Sequence, residues 1–352
     1  MINISICMIV KNEEAHLEEA LKTVPATAEL IVVDTGSTDR SKEIARSHGA
    51  QVYDYTWRND FAAARNEALN YATRDYILVM DADERLQPDF MERVPAYLSS
   101  SSVYAVKIAN IDRQTGERSV HRMVRMFPNK ARYRFQGSVH EQLYDGDKPA
   151  AFQSADLVID HYGYQEEGYE EKFNRYAPLY QAALAESPED GYLHYQFGKL
   201  YYSMKQWEQA CEHFSVCLDL NETNRLYFPP MLVLLAYALK EIGLVSEAVT
   251  LLQHFEAQYP DFPDLYFALA ALAMEANIVG PIEPALQQAL KIGETDKYTT
   301  IAGVGTYKAA YNLGLLYELT GRTKEATLCY NKSMSYGFQP AAERYKKLVK
   351  QF

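Results

Sequence analysis

The sequence predicts two unlike halves, an α/β domain on a mixed sheet followed by an all-α domain of helical repeats. Three observations carry this. In the N-terminal half, short apolar runs alternate four times with helical patterns, as in a parallel sheet with crossover helices. Two of those runs end abruptly in acids, Asp34 and Asp81, which would put charge at one edge of the sheet. Beyond residue 188 the apolar period is helical, and small residues and aromatics recur at fixed places.

Taken in order, residues 2–10 (INISICMIV) read as a buried strand, and 11–14 (KNEE) as the turn into a helix carrying Leu17, Ala20 and Leu21. Residues 30–33 form a second strand that ends in Asp34. Residues 35–41 (TGSTDRS) are turn and N-cap types leading into a helix at 42–47. A third strand at 51–55 is followed by Asp60 and a helix at 61–72, with Arg65 and Asn66 on its first two turns. The fourth strand, 76–80 (YILVM), is apolar throughout, as a strand covered on both faces is, and a helix is expected from residue 88. Shorter strands at 103–108, 119–127, 131–135 and 156–159, with a turn at 113–116, make a partly antiparallel extension.

Composition bounds the function. The 352 residues suffice for two or three domains, and 48% hydrophobic with 23% charged is ordinary for a soluble globular chain. A net charge of −12 gives no support to a nucleic-acid partner. No run approaches the roughly 20 apolar residues of a membrane span. The apolar start at residues 4–10 runs straight into charge and does not fit a signal peptide. Cys7, Cys211, Cys217 and Cys329 form no CxxC pair and are expected as small core residues of a reduced, cytoplasmic protein. Neither GxGxxG after the first strand nor GxxxxGK[ST] occurs, so a dinucleotide oxidoreductase and a P-loop enzyme lose their main sequence support.

The chemistry is expected where the fourth strand ends, in Asp81-Ala82-Asp83 with Glu84 behind it. Open α/β sheets bind ligands at that edge. Carboxylates this close ionise together at low cost only around a cation, and oxygen ligands suit Mg²⁺ or Mn²⁺, ions that commonly accompany phosphates. So short a pattern is, by itself, more often a solvated turn. Glu84 is expected to stay behind the site or face solvent. Phosphate would be met by the metal and by a cation such as Arg65, which could equally be a helix-face residue paired to Asp60 or Glu67. His140 and His161 each sit directly beside an acid, and His161 lies at a strand end like Asp34 and Asp81.

ISICMIVKNEE, IVVDTGSTDRS, FAAARNEAL and YILVMDADE, in this order and spacing, resemble the N-terminal half of family 2 glycosyltransferases with the GT-A fold, over about residues 1–165. The resemblance implies inverting transfer of a sugar from a UDP-sugar to an acceptor nucleophile. It implies that Ile9, Val10, Lys11 and Asn12, with Asp34, hold the base and ribose, and that Arg65 lies near the pyrophosphate. Asp81, Ala82 and Asp83 would face the sugar phosphate. A divalent metal, Mn²⁺ or Mg²⁺, would be held by Asp83 and Asp81, with His161 completing the shell. Glu141 would be the catalytic base, unless it is a surface acid of a hairpin.

A helical linker at 166–187 leads to tetratricopeptide-like repeats at 188–352. Gly198 with Ala210 and Phe214, Ala236 with Gly243 and Ala248, and Gly314 with Ala326 and Tyr330 mark three copies; 270–290 is a degenerate fourth, and 293–305 an insertion. Many of the 28 tyrosines fall here and are expected as core. This layout resembles bacterial peptide glycosyltransferases of the sublancin S-glycosyltransferase type. That implies a homodimer and a peptide or protein acceptor on the repeats, modified at Cys, Ser or Thr. Enzymes of surface polysaccharide or lipopolysaccharide-core synthesis share the layout. A nucleotidyltransferase, or a repeat scaffold whose α/β half has lost catalysis, remains as an alternative.

Overall fold

The computed structural model describes residues 3–98, 101–111, 118–162, 169–295 and 297–349. The chain divides into two units, Met1–Pro188 and Glu189–Phe352.

The first unit opens with four parallel strands, β1 (Ile4–Val10), β2 (Glu29–Asp34), β3 (Gln51–Asp54) and β4 (Tyr76–Val79). Three helices intervene, α1 (Leu17–Lys22), α2 (Ser41–Ser47) and α3 (Phe61–Tyr71). Asp60 caps α3 by accepting from the Ala63 N–H at 2.9 Å. The eight-stranded sheet runs β3-β2-β1-β4-β7-β6-β11-β5. Here β5 is Glu84–Leu86, β6 Val103–Ile111, β7 Arg118–Pro128 and β11 Phe152–His161, while α4 (Phe90–Arg93) replaces the helix expected from residue 88. β7 is antiparallel to both β4 and β6, and β11 is parallel to β6, so β11 runs in the direction of β4.

β4 and β5 are joined by four residues yet lie four positions apart in the sheet. Five Cα steps span at most about 18 Å, no more than four flat strand spacings of about 4.8 Å. The sheet therefore curls, bringing the end of β11 back over the end of β4; the N–H of Tyr162 donates to the Asp83 carbonyl at 3.0 Å. The strand expected at 131–135 does not extend this sheet. It is β8 (Tyr133–Gln136), which pairs with β9 (Gln142–Asp145) and β10 (Lys148–Pro149) in a separate three-stranded sheet. The turn expected at 113–116 lies outside the described residues, as does the start of the expected linker. The described part of that linker is α5 (Tyr169–Glu186), which belongs to the first unit.

The second unit is helical. Its helices pair as α6 (Gly191–Ser203) with α7 (Trp207–Leu220), α8 (Phe228–Glu241) with α9 (Val245–Phe255), α10 (Pro263–Glu275) with α11 (Ile282–Ile292), and α12 (Tyr307–Leu319) with α13 (Thr323–Met334), before α14 (Gln339–Val349). Two glycines explain the close approach within pairs. A Cβ on Gly198 would stand 2.5 Å from the Phe214 ring, and one on Gly314 2.6 Å from the Tyr330 ring. Both rings are fully buried.

Candidate active site

β1, β2 and β4 are parallel neighbours, so their C-terminal ends share one edge, and β11 ends there too. Val10 stands beside Asp34 in register. The Asp34 side chain is fully buried. Its Oδ1 accepts from the N–H groups of Gly36 (3.0 Å) and Ser37 (2.9 Å), while its Oδ2 has no hydrogen-bond partner among the described residues. Asp34 and Thr35 line a cleft of about 420 Å³ together with Tyr55, Thr56 and Trp57, which follow β3. That volume suits a small-molecule site.

The loop from Ile9 to Asn12 is fastened to the turn after Asp34. The Val10 carbonyl accepts from the Thr35 N–H at 2.9 Å. Asn12 adopts a left-handed φ of 56°, open to Asn at modest cost, and its Oδ1 accepts from the Thr38 N–H at 2.8 Å. Lys11 is exposed and Ile9 half-buried.

The Asp81 corner is built on a chain of alternating charge. Arg125 of β7, 4% exposed, donates through Nη2 to Asp81 Oδ2 (2.7 Å) and to Glu84 Oε1 (2.6 Å). Glu84 Oε2 accepts from the Asp81 N–H at 2.8 Å. Arg65 of α3 donates through Nη2 to Asp81 Oδ1 (2.9 Å) and through Nε to Glu141 Oε1. Burial opposes the ionised form of Asp81, but the two guanidiniums outweigh it and hold its carboxyl well below the usual range. Burial pushes Glu84 up, with Arg125 acting against it.

The structure decides two readings that were open. Of the two places expected for Glu84 it takes the one behind the site, 1% exposed and ion-paired, because β5 is drawn under the corner by the curl of the sheet. Arg65 pairs with Asp81 and Glu141 rather than with Asp60 or Glu67, and its Nη1 is buried with no hydrogen-bond partner among the described residues. Asp81 gives one oxygen to each arginine, Oδ1 to Arg65 and Oδ2 to Arg125, and each oxygen keeps a second lone pair. Among the described residues no three His, Cys, Asp or Glu side chains gather as a metal-binding group.

Asp83 and His161 do meet. His161 Nε2 lies 3.2 Å from Asp83 Oδ2, and its Nδ1 lies 2.8 Å from Asn110 Oδ1. An amide oxygen only accepts, so Nδ1 carries a proton and donates to it. The other ring nitrogen then faces a carboxylate, and only a cation between or upon them, a proton or a metal ion, satisfies both. Burial would lower the His161 pKa, but the bond to Asp83 and the charges of Asp83, Glu84 and Asp81 raise it. This pair would supply one nitrogen and one carboxylate donor to a divalent ion, and Ala82, the residue before Asp83, is buried.

Glu141 sits on the loop after β8, its side chain 11% exposed. The loop is tied to two helices. The N–H of Phe61, at the start of α3, donates to the Ser138 carbonyl at 2.9 Å. His140, at φ 51°, hydrogen-bonds through Nε2 to the Tyr180 hydroxyl of α5 and stacks on the Tyr180 ring at 5.5 Å. Glu141, Arg65 and Asp81 are thus one connected group, while Asp34 with its cleft forms a second part of the edge. Reading the sequence alone missed Arg125 and the Tyr55–Trp57 wall. The available signals were an arginine inside a short apolar stretch (VRMF) and an aromatic-rich stretch (YTW) after a parallel strand.

Residues 5–157 match Glycosyl transferase family 2, and residues 307–336 match the Tetratricopeptide repeat. A TPR repeat-containing protein of Synechococcus elongatus is 35% identical over 211 residues, covering 57% of this chain and 52% of that one. The SPbeta prophage-derived glycosyltransferase SunS of Bacillus subtilis is 27% identical over 281 residues, covering 76% and 66%. The lipopolysaccharide core biosynthesis glycosyltransferase LpsC of Rhizobium meliloti is 28% identical over 155 residues, covering 40% and 56%. The chain thus spans about half to two thirds of the length of these curated relatives. With its curled mixed sheet and the helical pairs that follow, the chain consists of a family 2 glycosyltransferase domain of GT-A type joined to C-terminal tetratricopeptide repeats.

Proposed function

We propose that the protein is a metal-dependent, inverting glycosyltransferase that moves a sugar from a UDP-sugar to a nucleophile on a peptide or protein. One observation carries this reading. Asp34 with its cleft, the Asp83–His161 pair and Glu141 all belong to the same C-terminal edge of the sheet or to the loop tied to it. The Oδ2 of Asp34, without a hydrogen-bond partner among the described residues, would accept from a base N–H or a ribose hydroxyl. Tyr55 and Trp57, which line the cleft, would stack on the base, and residues 9–12, tied to the turn after Asp34, would lie beside it. Asp83 and His161 would hold Mn²⁺ or Mg²⁺. When bound, such an ion neutralises charge that develops on a departing diphosphate. The Nη1 of Arg65, without a hydrogen-bond partner among the described residues, would donate to the same oxygens. Arg65 also orients Glu141, which takes the acceptor's proton as the nucleophile attacks opposite the leaving group. Arg125 and Glu84 hold Asp81, and through it Arg65.

The peptide acceptor, its Cys, Ser or Thr nucleophile, docking on the repeats, a homodimer and a cytoplasmic site of action belong to the same proposal. They are supported by the likeness to SunS over 76% of the chain and by the repeats. No helix among the described residues is long and apolar enough to cross a membrane. The likeness to LpsC favours a second reading, a saccharide acceptor of lipopolysaccharide-core type.

A thermal-shift screen of nucleotide sugars, with and without Mn²⁺, tests the donor, since a ligand that binds only the folded state raises the melting temperature. The expected result is stabilisation by a UDP-sugar that EDTA abolishes. Transfer of labelled sugar to peptide or to saccharide then separates the two acceptors. Full transfer activity in EDTA would remove the metal from the mechanism. Release of pyrophosphate instead of UDP would mark a nucleotidyltransferase. No response to any donor, with tight binding of a protein partner, would favour the inactive scaffold.

A further inference from the structure

We propose that Asn110 is the positioning residue of the cation corner. It fixes the His161 ring with Nδ1 protonated, so that Nε2 is the nitrogen presented to Asp83 and to the ion they would share. This rests on the reading of Asp83 and His161 as the metal pair.

The argument begins with register. Asn110 is paired with His161 across β6 and β11, and Ile108, two residues before it, with His121 across β6 and β7. On the next strand over, Glu84 of β5 is the partner of His161. A row of polar residues therefore crosses four adjacent strands where the sheet curls. Within it the Asn110 amide is oriented from both sides. Its Oδ1 lies 2.8 Å from His161 Nδ1, and its Nδ2 lies 3.3 Å from His121 Nδ1. An amide NH₂ only donates, so His121 Nδ1 accepts, and the Asn110 oxygen is left to accept from His161.

A histidine that binds a metal through one nitrogen is commonly held through the other N–H by a carbonyl or carboxylate. Loss of such a partner typically lowers metal affinity about 10–100-fold. Asn110 supplies that partner without adding negative charge beside Asp83, Asp81 and Glu84.

Two readouts on the full chain test this. The first is Mn²⁺ affinity by calorimetry for wild type, Asn110→Leu and Asn110→Asp, with metal-free melting temperatures alongside. Leu approximates the shape and lacks the acceptor, whereas Asp keeps it. The expected result is Mn²⁺ binding weakened about 10–100-fold in Asn110→Leu and retained in Asn110→Asp, at unchanged metal-free melting temperature. The second is the ¹⁵N spectrum of the His161 ring in metal-free protein at alkaline pH. Wild type and Asn110→Asp are expected to show the Nδ1–H tautomer, and Asn110→Leu to lose it. Wild type that binds Mn²⁺ with Asn110→Leu equally tight overturns the inference, as does an Nε2–H tautomer in wild type. Wild type that binds no Mn²⁺ sinks the metal reading instead, and the ¹⁵N spectra still decide whether Asn110 sets the tautomer.

Discussion

The two units bury polar groups in opposite ways. At the sheet edge of the first, Glu84, Arg125, Asp81, Arg65 and Glu141 form a chain of full charges, with Arg125 and Glu84 almost without exposure. In the second, many of the buried polar groups are phenols anchored at the hydroxyl. Tyr330 donates to Glu318 at 2.6 Å, Tyr317 to Glu283 at 2.8 Å, Tyr266 to the Glu256 carbonyl at 2.6 Å and Tyr259 to the Thr223 carbonyl at 2.9 Å. A phenol fills space and needs one bond. A buried ion needs an opposite charge and several bonds, and an apolar replacement of the whole set is often no less stable. The repeats therefore use the inexpensive solution. The edge uses the costly one, which stability alone does not explain and which a charged substrate would.

The largest expected effect follows from cutting the charged chain at its most buried link. Arg125→Met leaves Glu84 and Asp81 without their shared cation and should destabilise the first unit by about 3–5 kcal/mol. Adding Glu84→Gln removes part of the uncompensated charge and should recover part of that loss. Denaturant melts, with hydrogen exchange to locate the change, check both. A single variant that melts like wild type would mean that the chain is not the support inferred for it.

Next comes Asp83→Ala, which touches the cation corner and not the chain. Transfer should fall about 10²–10³-fold, the equivalent of about 3–4 kcal/mol in the barrier. The melting temperature without metal should barely move, because the Asp83 side chain is 26% exposed and its side-chain hydrogen bond among the described residues is to His161. Activity and melting curves on one preparation separate the two effects. Equal losses in Asp83→Ala and Arg125→Met by both measures would dissolve the distinction between corner and support.

In the repeats, the matching test is steric. Gly314→Ala puts a methyl 2.6 Å from the Tyr330 ring, which is fully buried and anchored at its hydroxyl. Overpacking of this kind costs about 1–3 kcal/mol. Gly198→Ala should behave alike against Phe214, whose ring has no hydroxyl to anchor it. The Gly198 variant is accordingly expected at the lower end of the range and the Gly314 variant at the upper, read from chemical denaturation.

How much of this was legible beforehand divides along the same line. The repeats were readable because their contacts are local: Gly198 meets Phe214 within one helical pair, and periodicity reports such neighbours. The strands and the acids Asp34, Asp81 and Asp83 were readable because a strand's C-terminal end is set by its own residues. The charged chain was not. Arg125 lies 44 residues from Asp81 and 41 from Glu84, and Arg65 lies 76 from Glu141. Alternation along β7 says that Arg125 takes one face of the sheet, but not that the sheet curls β5 beneath it. For Glu84 two places stayed open, behind the site or facing solvent, because a short polar run after a strand also reads as a turn. The register β11–β5 selects the first.

The smallest net effect comes from two shifts in the repeats that oppose each other. Burial pushes Asp264 from 3.8 up to about 7, although the Ile301 N–H donates to its Oδ1 at 2.8 Å. Burial, helped by His194 at 2.9 Å, lowers His213 from 6.5 to about 4. Between pH 4 and 7 the folded state keeps a proton on Asp264 that the unfolded chain has released, so this group makes stability fall as pH rises. Between pH 4 and 6.5 the unfolded chain holds a proton on His213 that the folded state refuses, so that group makes stability rise. Each slope is at most about 1.4 kcal/mol per pH unit, and from pH 5 to 6.5 they should nearly cancel. Asp264→Asn should expose the rise and His213→Phe the fall, in melts of the repeat unit followed by hydrogen exchange within the full chain. Parallel pH profiles in both variants would mean that neither proton is held as its burial implies. Opposite profiles would extend the contrast between the units, since here the repeats hold two ionisable groups by keeping both neutral, whereas the sheet edge pairs its carboxyl groups with guanidiniums.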